Sequence, residues 1–358
     1  MKKKLVGMLA TATLLTTALA ENVQAAEIRS VGPDGEAAVD ASTIELTDDQ
    51  IAQIKEGGYT AAICLHYGGN DWSTSQQKGL EDTFGELGIE IVAVTDANFS
   101  AETQVSNIET VMAKKPDILV SIPTDATATA DAYKQAAAAG IKIVFMDQRA
   151  NSLEAGKDYV SVVSADNYGN GYASGTVLGD ALGGKGKVAM VYYDANFAPT
   201  NQRDEGFRDA MKNYPDIEIV TEQGFTDESG CAEQGDAILT QFPNIDGIYA
   251  SWDVPMEGVL SAVRAAGMEG KVTLACNDLG NNVAREIASG NIAGGGAQMP
   301  YDQGVAEAKL AALALLGEET PSYVAVPAET VTHENVLEAY TDVYHVETPD
   351  WLKEAYVE

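Results

Sequence analysis

Cysteine and histidine are scarce in this chain of 358 residues, which contains three of each. Cys64, Cys231 and Cys276 lie far apart, without the Cys-x-x-Cys spacing or the nearby histidines that zinc sites require. No acidic stretch has the Asp and Gly spacing of a calcium loop. We therefore predict no metal site and no scaffold of several disulfides, and we expect the cysteines to be buried as small apolar side chains.

Positive charge is also scarce. The chain has 22 Lys and Arg against 54 Asp and Glu, a formal net charge of −32. A surface of this sign repels nucleic-acid phosphates and anionic lipid headgroups. We therefore expect no nucleic-acid partner and no binding to a bare membrane.

Long apolar runs are missing except at the start of the chain. Lys2, Lys3 and Lys4 precede a mostly apolar run over residues 5–20, and Val23 and Ala25 stand where a signal peptidase reads small or compact residues. The run is short and polar for a membrane span, and no cysteine near the cleavage region could carry a lipid. Residues 1–25 are therefore predicted to be a cleaved secretory signal peptide, and the mature chain is expected not to be inserted in the membrane.

The remainder alternates short apolar runs with stretches of helical periodicity, a pattern typical of parallel sheets with crossover helices. The first four predicted strands are Tyr59–Leu65, Ile89–Val94, Asp117–Ile122 and Ile141–Phe145. A second series begins at Tyr159–Val163 and continues through Lys187–Tyr192, Ile217–Thr221, Gly247–Ala250, Val272–Ala275 and Ile292–Ala297. Two such series predict an α/β fold with two doubly wound lobes and a ligand between them.

Open parallel sheets bind ligands at the carboxyl ends of their strands, where loops converge. The loops predicted there combine flat rings with polar groups. Rings could cover the C–H faces of a polyhydroxylated molecule, and carboxylates, amides and guanidinium groups could bind its hydroxyls. The candidate rings are Trp72, Phe225 and Trp252, and the candidate polar residues are Asn70, Asp147, Arg149, Arg203, Asp253, Asp278 and Gln298.

Catalytic sites are weakly indicated. His66 is the one histidine outside the C-terminal tail, and a loop histidine of this kind is more often a hydrogen-bonding contact than part of a nucleophile–base pair. Asp147, Asp253 and Asp278 could form glycosidase-like pairs, but acids are so abundant that such pairs arise by chance. The Gly-rich stretch 183–187 precedes a strand instead of following one, so no nucleotide loop and no cofactor are predicted.

Together, the export signal, the two α/β series and the strand-end motifs resemble the periplasmic sugar-binding proteins of ABC transporters, in the ribose-binding branch of the type I fold. The motifs are Ser121–Asp125, Asp147–Arg149, Ser164–Asn167 and Arg203–Phe207, with Phe225, Trp252–Asp253, Asp278 and Gln298 in the family's order. The resemblance implies that His66 and Asn70 also contact ligand. It further implies lobes joined by a three-strand hinge that closes on the ligand.

The resemblance also implies domain boundaries. These are residues 1–25 for the signal peptide, 26–56 for an N-terminal extension with a short helix, 57–164 with 299–326 for the first lobe, and 165–298 with 327–358 for the second lobe and tail. The helix of the extension is predicted from the capping box at Thr47–Gln50.

Three departures from the family's ribose binders indicate a reshaped pocket. Gln148 stands where they have Arg, with Arg149 one position later, Trp72 stands near their paired phenylalanines, and Trp252 replaces Asn. The expected ligand is a monosaccharide or polyol, with an amino sugar left open.

The expected function is capture of this ligand and delivery to an ABC transporter permease by a monomeric protein that is not an enzyme. Two alternatives are a sensory receptor of the same fold, feeding a chemoreceptor or histidine kinase, and a carbohydrate hydrolase.

Overall fold

The computed structural model describes residues 28–357, so the predicted signal peptide lies outside the described residues. The described chain forms two α/β lobes, each built on its own sheet, which confirms the predicted fold class. Within residues 28–357, every helix is too short or too polar to span a bilayer.

The first lobe contains a seven-stranded parallel sheet. In spatial order its strands are β1 (Val39–Asp40), β12 (Tyr323–Val326), β6 (Ser161–Ala165), β5 (Lys142–Met146), β4 (Ile118–Ser121), β2 (Thr60–Leu65) and β3 (Glu90–Asp96). Its helices are α1 (Asp48–Gly57), α2 (Asp71–Glu86), α3 (Ala101–Ala113), α4 (Ala130–Ala138) and α10 (Pro300–Leu315). The apolar side chains of α1, α2 and α10 form one core with the sheet, and those of α3 and α4 form a second.

The second lobe contains a six-stranded sheet. In spatial order its strands are β13 (Glu329–Thr332), β11 (Gly294–Ala297), β10 (Thr273–Cys276), β9 (Gly247–Ala250), β7 (Lys185–Tyr193) and β8 (Asp216–Phe225). Only β13 runs antiparallel to its neighbour in this sheet. The helices are α5 (Asn167–Ala181), α6 (Ala198–Met211), α7 (Cys231–Gln241), α8 (Asp253–Ala265), α9 (Asn281–Ala288), α11 (Val336–Tyr344) and α12 (Asp350–Ala355).

The chain passes between the lobes three times. It leaves the first sheet after β6, returns between β11 and α10, and leaves again between β12 and β13. The strand predicted at Tyr159–Val163 is β6 of the first sheet, so the periodicity was wrong to assign it to the second series, although the implied boundary at residue 164 places it in the first lobe. Periodicity locates a strand but does not say which sheet it joins.

Two local features follow directly from the sequence. Thr47 and Gln50 form the predicted capping box at the start of α1. The run Gly294–Gly296 is strand β11, packed against α5, where a β-carbon on Gly296 would lie 2.3 Å from the Asn170 carbonyl oxygen. Gly296 therefore permits close packing of α5 on the strand.

The three cysteines are free and buried, as expected. Cys64 lies in β2 of the first lobe, whereas Cys231 and Cys276 lie in the second lobe. Burial raises the pKa of the Cys64 thiol to about 11, which keeps it protonated at neutral pH.

Candidate functional site

A cavity lies between the lobes at the carboxyl ends of their strands, with about 470 Å³ of space that opens partly to solvent. Loops after β2, β3, β4 and β5 supply its first-lobe wall, and loops after β7, β9, β10 and β11 supply the second. Of the predicted site residues, the structure brings together His66, Asn70, Trp72, Asp147, Arg203, Trp252, Asp278 and Gln298.

A polar cluster centred on Arg203 occupies one part of this cavity. The Arg203 Nε donates to Asn167 Oδ1 at 2.8 Å, and Nη1 donates to Asp278 Oδ2 at 3.0 Å. Gln298 Nε2 donates to the other Asp278 oxygen at 2.8 Å. Burial alone would lower the pKa of Arg203, but Asp278 and Asp147 outweigh it and raise that pKa, so the guanidinium stays charged.

Asp147 supplies a second carboxylate. Ser164 Oγ, the Ala165 amide and Gln303 Nε2 donate to its Oδ1 at 3.0, 3.3 and 3.1 Å. Because these donors all reach Oδ1, Oδ2 remains available toward the cavity. Burial raises the pKa of Asp147, while the charge of Arg203 and the hydrogen bonds oppose that rise.

Both carboxylates stand on left-handed backbone. Asp147 has φ 52° directly after β5, and Asp278 has φ 68° two residues after β10. Side chains other than glycine adopt this conformation at a cost, although Asp tolerates it better than most. Such backbone strain concentrates at functional sites, where the surrounding structure holds a side chain in one orientation.

Aromatic rings from both lobes form the rest of the wall. Tyr67 and Phe99 of the first lobe stack at a centroid distance of 4.3 Å, and Phe99 approaches Tyr193 of the second lobe at 6.5 Å. His66 stacks on Phe197 across the cleft at 5.7 Å. A molecule held here would therefore be covered by rings from two directions.

Three buried polar atoms of the wall have no hydrogen-bond partner within residues 28–357. They are His66 Nδ1, Trp72 Nε1 and Gln298 Oε1. Burial lowers the pKa of His66 to about 3, so its ring is neutral and offers one donor and one acceptor. Buried polar groups in native proteins nearly always have partners, so a bound molecule with hydroxyl groups would fit these atoms.

Gln148 and Arg149 do not line this cavity. Arg149 turns away from it and pairs with Asp34 of the N-terminal extension, with Nη2 and Oδ1 2.7 Å apart. Gln148 Nε2 donates to the Pro123 carbonyl, and its Oε1 accepts from the Ala198 amide of the other lobe at 3.2 Å. In this structure the turn after Asp147 directs both side chains away from the cavity, and their contact with a ligand stays a prediction.

Phe225 and Asp253 lie behind the cavity wall in this structure, and their contact with a ligand also stays a prediction. The Phe225 ring packs on Trp252 at 5.1 Å and on Tyr193 at 5.6 Å, and so supports rings that line the cavity. Asp253 Oδ2 accepts from the Gly280 amide at 3.0 Å and braces the loop that carries Asp278. Burial, and then the charge of Asp278, raise the pKa of Asp253 well above its usual range.

Sequence reasoning missed several wall residues. Tyr67 adjoins the predicted His66, and Phe99 lies in the loop after β3. The others are Ile122, Tyr193, Phe197, Pro199 and Thr200. Their position near the carboxyl ends of strands was a usable signal, but local pattern does not say which side chains of a loop turn toward the cleft.

The C-terminal tail packs on the second lobe and braces the loop after β10. Tyr344 OH donates to the Leu279 carbonyl at 2.8 Å, and Tyr340 OH donates to Asn281 Oδ1 at 2.5 Å. Asn281 in turn donates from its amide and side chain to Asp71 of the first lobe at 2.7 and 2.8 Å. The tail therefore supports a direct contact between the lobes.

Metal ligation is not indicated by this geometry. Over the part of the chain that the structure describes, no three His, Cys, Asp or Glu side chains are grouped to hold a metal ion.

Comparison with known proteins identifies relatives over most of the chain. The family model described as "Periplasmic binding protein domain" matches residues 61–319. The D-ribose/D-allose-binding protein of Pseudomonas aeruginosa is 29% identical over 273 residues, which cover 73% of this chain and 83% of that protein. The ribose import binding protein of Salmonella typhimurium is 24% identical over 272 residues, which cover 76% of this chain and 90% of that protein.

Solved structures show the same two-lobe architecture. An ABC transporter periplasmic solute binding protein from Actinobacillus succinogenes, with bound D-allose, has a TM-score of 0.72 and 29% identity, covering 78% of this chain and 99% of that chain. A solute binding protein from Agrobacterium vitis, bound with alpha-D-tagatopyranose, has a TM-score of 0.74 and 25% identity, covering 82% of this chain and 100% of that chain. All four of these relatives are binding proteins by name.

Proposed function

Since the chain belongs to the periplasmic binding protein domain family, we propose that it captures a monosaccharide or polyol between its lobes and delivers it to an ABC transporter permease. One observation carries the proposal: the interlobe cavity joins a charge-paired polar cluster to rings from both lobes. This combination suits a molecule that has hydroxyl groups along its edge and C–H groups on its faces.

The polar part of the cavity supplies partners for neighbouring hydroxyls. Asp147 and Gln298 offer acceptor oxygens, and Trp72 offers an indole donor. Charge-assisted hydrogen bonds to a carboxylate or guanidinium are stronger than neutral ones, so Asp278 and Arg203 would orient the ligand.

Closure follows from contacts on both walls. A ligand that binds Asp147 and Trp72 in the first lobe and Arg203 and Asp278 in the second stabilises the form in which the lobes are close. The three chain passages between the lobes would act as the hinge.

A transport role is favoured over sensing because the names of the matched relatives describe import and ABC transport. In this proposal residues 1–25 direct export, the mature protein is a periplasmic monomer, and its acidic surface helps it dock on the permease. A hydrolase is disfavoured, since Asp278 is held by Arg203 and Gln298, and Asp147 by several donors.

A thermal-shift screen of the mature protein over pentoses, hexoses, polyols, inositols and amino sugars tests the proposal. A ligand present at one hundred times its Kd stabilises the folded state by about 2.7 kcal/mol. We expect one small carbohydrate or polyol to raise the melting temperature and nucleotides to leave it unchanged. Turnover of the ligand, or no shift with any sugar or polyol, would contradict the proposal.

Two variants locate the site. Calorimetric titration should show loss of ligand binding in Asp278→Ala, which removes a polar partner of the ligand. It should also show loss in Tyr193→Ala, which removes a ring of the cavity wall without disturbing the buried ion pair. The matched control is Arg208→Ala, on the same helix as Arg203 but paired with Glu222 at the surface. If Asp278→Ala and Tyr193→Ala bind the ligand as tightly as Arg208→Ala, the ligand lies elsewhere.

A further inference from the structure

A glutamine and a glutamate are paired inside the first lobe, away from solvent. Gln76 of α2 and Glu307 of α10 are both 0% exposed, and Gln76 Nε2 donates to Glu307 Oε1 at 2.6 Å. The two helices cross closely here: a β-carbon on Gly304 would lie 2.3 Å from the Gln76 carbonyl oxygen, and one on Gly79 would lie 2.2 Å from the Tyr301 carbonyl oxygen. The pair therefore lies in a tightly packed contact.

The remaining atoms of the pair are orphaned acceptors. Gln76 Oε1 and Glu307 Oε2 are buried without a hydrogen-bond partner among the described residues, and so is Gln303 Oε1, one turn earlier on α10. An ionised carboxylate only accepts hydrogen bonds, so it cannot satisfy an amide oxygen. A protonated carboxylic acid has an O–H donor that can.

We propose that Glu307 is protonated at neutral pH, that its Oε2–H donates to Gln76 Oε1, and that this closed pair of hydrogen bonds positions the first-lobe wall of the cavity. One proton then satisfies both orphaned atoms of the pair. The carboxylic acid and the amide form two antiparallel hydrogen bonds, with Gln76 donating to Oε1 and Glu307 donating from Oε2.

The charges around Glu307 agree with this protonation. Burial raises the pKa of Glu307 well above its usual value, and the nearby charge of Asp147 raises it further. The strands β4, β6 and β12 that pack on α10 carry no charged side chain, and Lys142 is at the exposed start of β5.

Among residues 28–357, no cation on the packed helices faces the pair either. On α2, Lys78 binds Asp82 at the surface, and on α10 itself Asp302 binds His345. None of the other ionisable groups on the packed helices acts on the pKa of Glu307. They are Asp71, Glu81 and Glu86 on α2, Tyr301 and Lys309 on α10, Asp48, Asp49, Lys55 and Glu56 on α1, and Glu338, Tyr340, Asp342 and Tyr344 on α11.

The pair is joined to the cavity along both helices. Trp72 lies four residues before Gln76, on the same face of α2, and lines the cavity. Gln303 lies four residues before Glu307 and donates to Asp147 Oδ1 at 3.1 Å. Glu307 is thus a positioning residue for Trp72 and Asp147, and its effect on ligand binding rests on the proposed function.

The pH dependence of folding tests the proton independently of any ligand. The unfolded chain releases the proton near pH 4.5, the ordinary value for this side chain, whereas the folded chain retains it, so stability falls as pH rises above that value. Relative to Glu307→Gln, the folding equilibrium constant of the parent should fall about tenfold per pH unit above pH 5 until the folded state also ionises.

A surface pair gives a matched control. Gln77 Nε2 donates to Glu81 Oε1 at 2.6 Å on the exposed face of α2, so Glu81→Gln makes the same chemical change in water. Urea unfolding between pH 5 and 9 gives the free energy of unfolding at each pH. We expect this free energy to fall with pH equally in the parent and in Glu81→Gln, and to fall less steeply in Glu307→Gln. The double change Gln76→Leu with Glu307→Leu should also make the free energy of unfolding fall less steeply with pH. Parallel curves for all four proteins would overturn the proposal.

Infrared difference spectra of the parent against Glu307→Gln at pH 7 detect the proton directly. We expect the C=O stretch of a carboxylic acid in the parent, and a carboxylate band in its place would overturn the proposal. For the ligand found by the thermal-shift screen, affinity at high pH should weaken in the parent but not in Glu307→Gln. If no ligand is found, the proposed function fails while the unfolding and infrared results still decide the protonation.

Discussion

Arg203 and Asp278 are a buried ion pair, with side chains 6% and 10% exposed. Removing one partner of such a pair leaves the other charge in a poorly solvated place, and this costs more than the pair itself contributes. The residues that orient a ligand therefore also hold the second lobe together.

We predict that Asp278→Ala lowers the free energy of unfolding by about 3–5 kcal/mol, because Arg203 remains charged without its partner. The double variant Arg203→Met with Asp278→Leu should regain part of that loss, since neither charge of this pair is left buried, although Asp147 loses the opposing charge of Arg203. Urea denaturation without ligand measures both. Arg208→Ala, which breaks an exposed pair, should change stability by about 0–1 kcal/mol. Equal effects of Asp278→Ala and Arg208→Ala would contradict this account.

At the residue scale, the sequence predicted where strands end better than it predicted where side chains point. Asp147 and Asp278 were identifiable because each follows an apolar run. The exclusion of Arg149 from the cavity depends on the left-handed backbone at Asp147 and on Asp34, 115 residues away. Neither is readable from local pattern.

At the scale of elements, α2 and α10 approach closely because each helix has a glycine that faces the backbone of the other helix. Gly79 contacts the Tyr301 carbonyl and Gly304 contacts the Gln76 carbonyl. An added methyl group in such a contact forces the helices apart.

We predict that Gly79→Ala lowers the free energy of unfolding by about 1–3 kcal/mol. Gly85→Ala on the same helix is the control, because its β-carbon would meet nothing within 4 Å. Alanine at such a site should raise stability by about 0.4–1 kcal/mol, since it restricts the unfolded chain. Chemical denaturation of both variants measures the free energy of unfolding. A decrease in both variants would argue against a specific contact between the two helices.

Element types were largely readable from the sequence, whereas sheet membership was not. The strands of both series appear within a few residues of their predicted bounds, because apolar runs between helical stretches are a strong signal. The sequence did not predict β1, β12 or β13. β1 has only two residues, too few for a pattern, and β12 and β13 follow one another without the intervening helix that marked the other strands. Their pairing depends on contacts across the whole chain.

At the scale of the whole molecule, a few polar contacts join the two lobes around the cavity. Asp71 accepts two hydrogen bonds from Asn281, and Gln148 accepts one from Ala198. These bonds exist only while the lobes are close, so they favour the closed form with or without ligand.

We predict that Asp71→Ala weakens ligand binding about tenfold, because two hydrogen bonds of the closed form are lost and the binding-competent population falls. Calorimetric titration measures the affinity, and small-angle X-ray scattering should show a larger radius of gyration for the free variant. Glu81→Gln on the same helix, which touches only its own lobe, should change neither. Unchanged affinity in Asp71→Ala would mean that this contact does not bias closure.

The distribution of the three free thiols gives each lobe its own chemical reporter. Burial raises the pKa of Cys64 to about 11 and that of Cys231 to about 12, so the folded protein holds little reactive thiolate. Alkylation of Cys64 therefore requires the first lobe to unfold, and alkylation of Cys231 or Cys276 requires the second. Mass spectrometry of the alkylated peptides would therefore follow the unfolding of each lobe separately, without any engineered label.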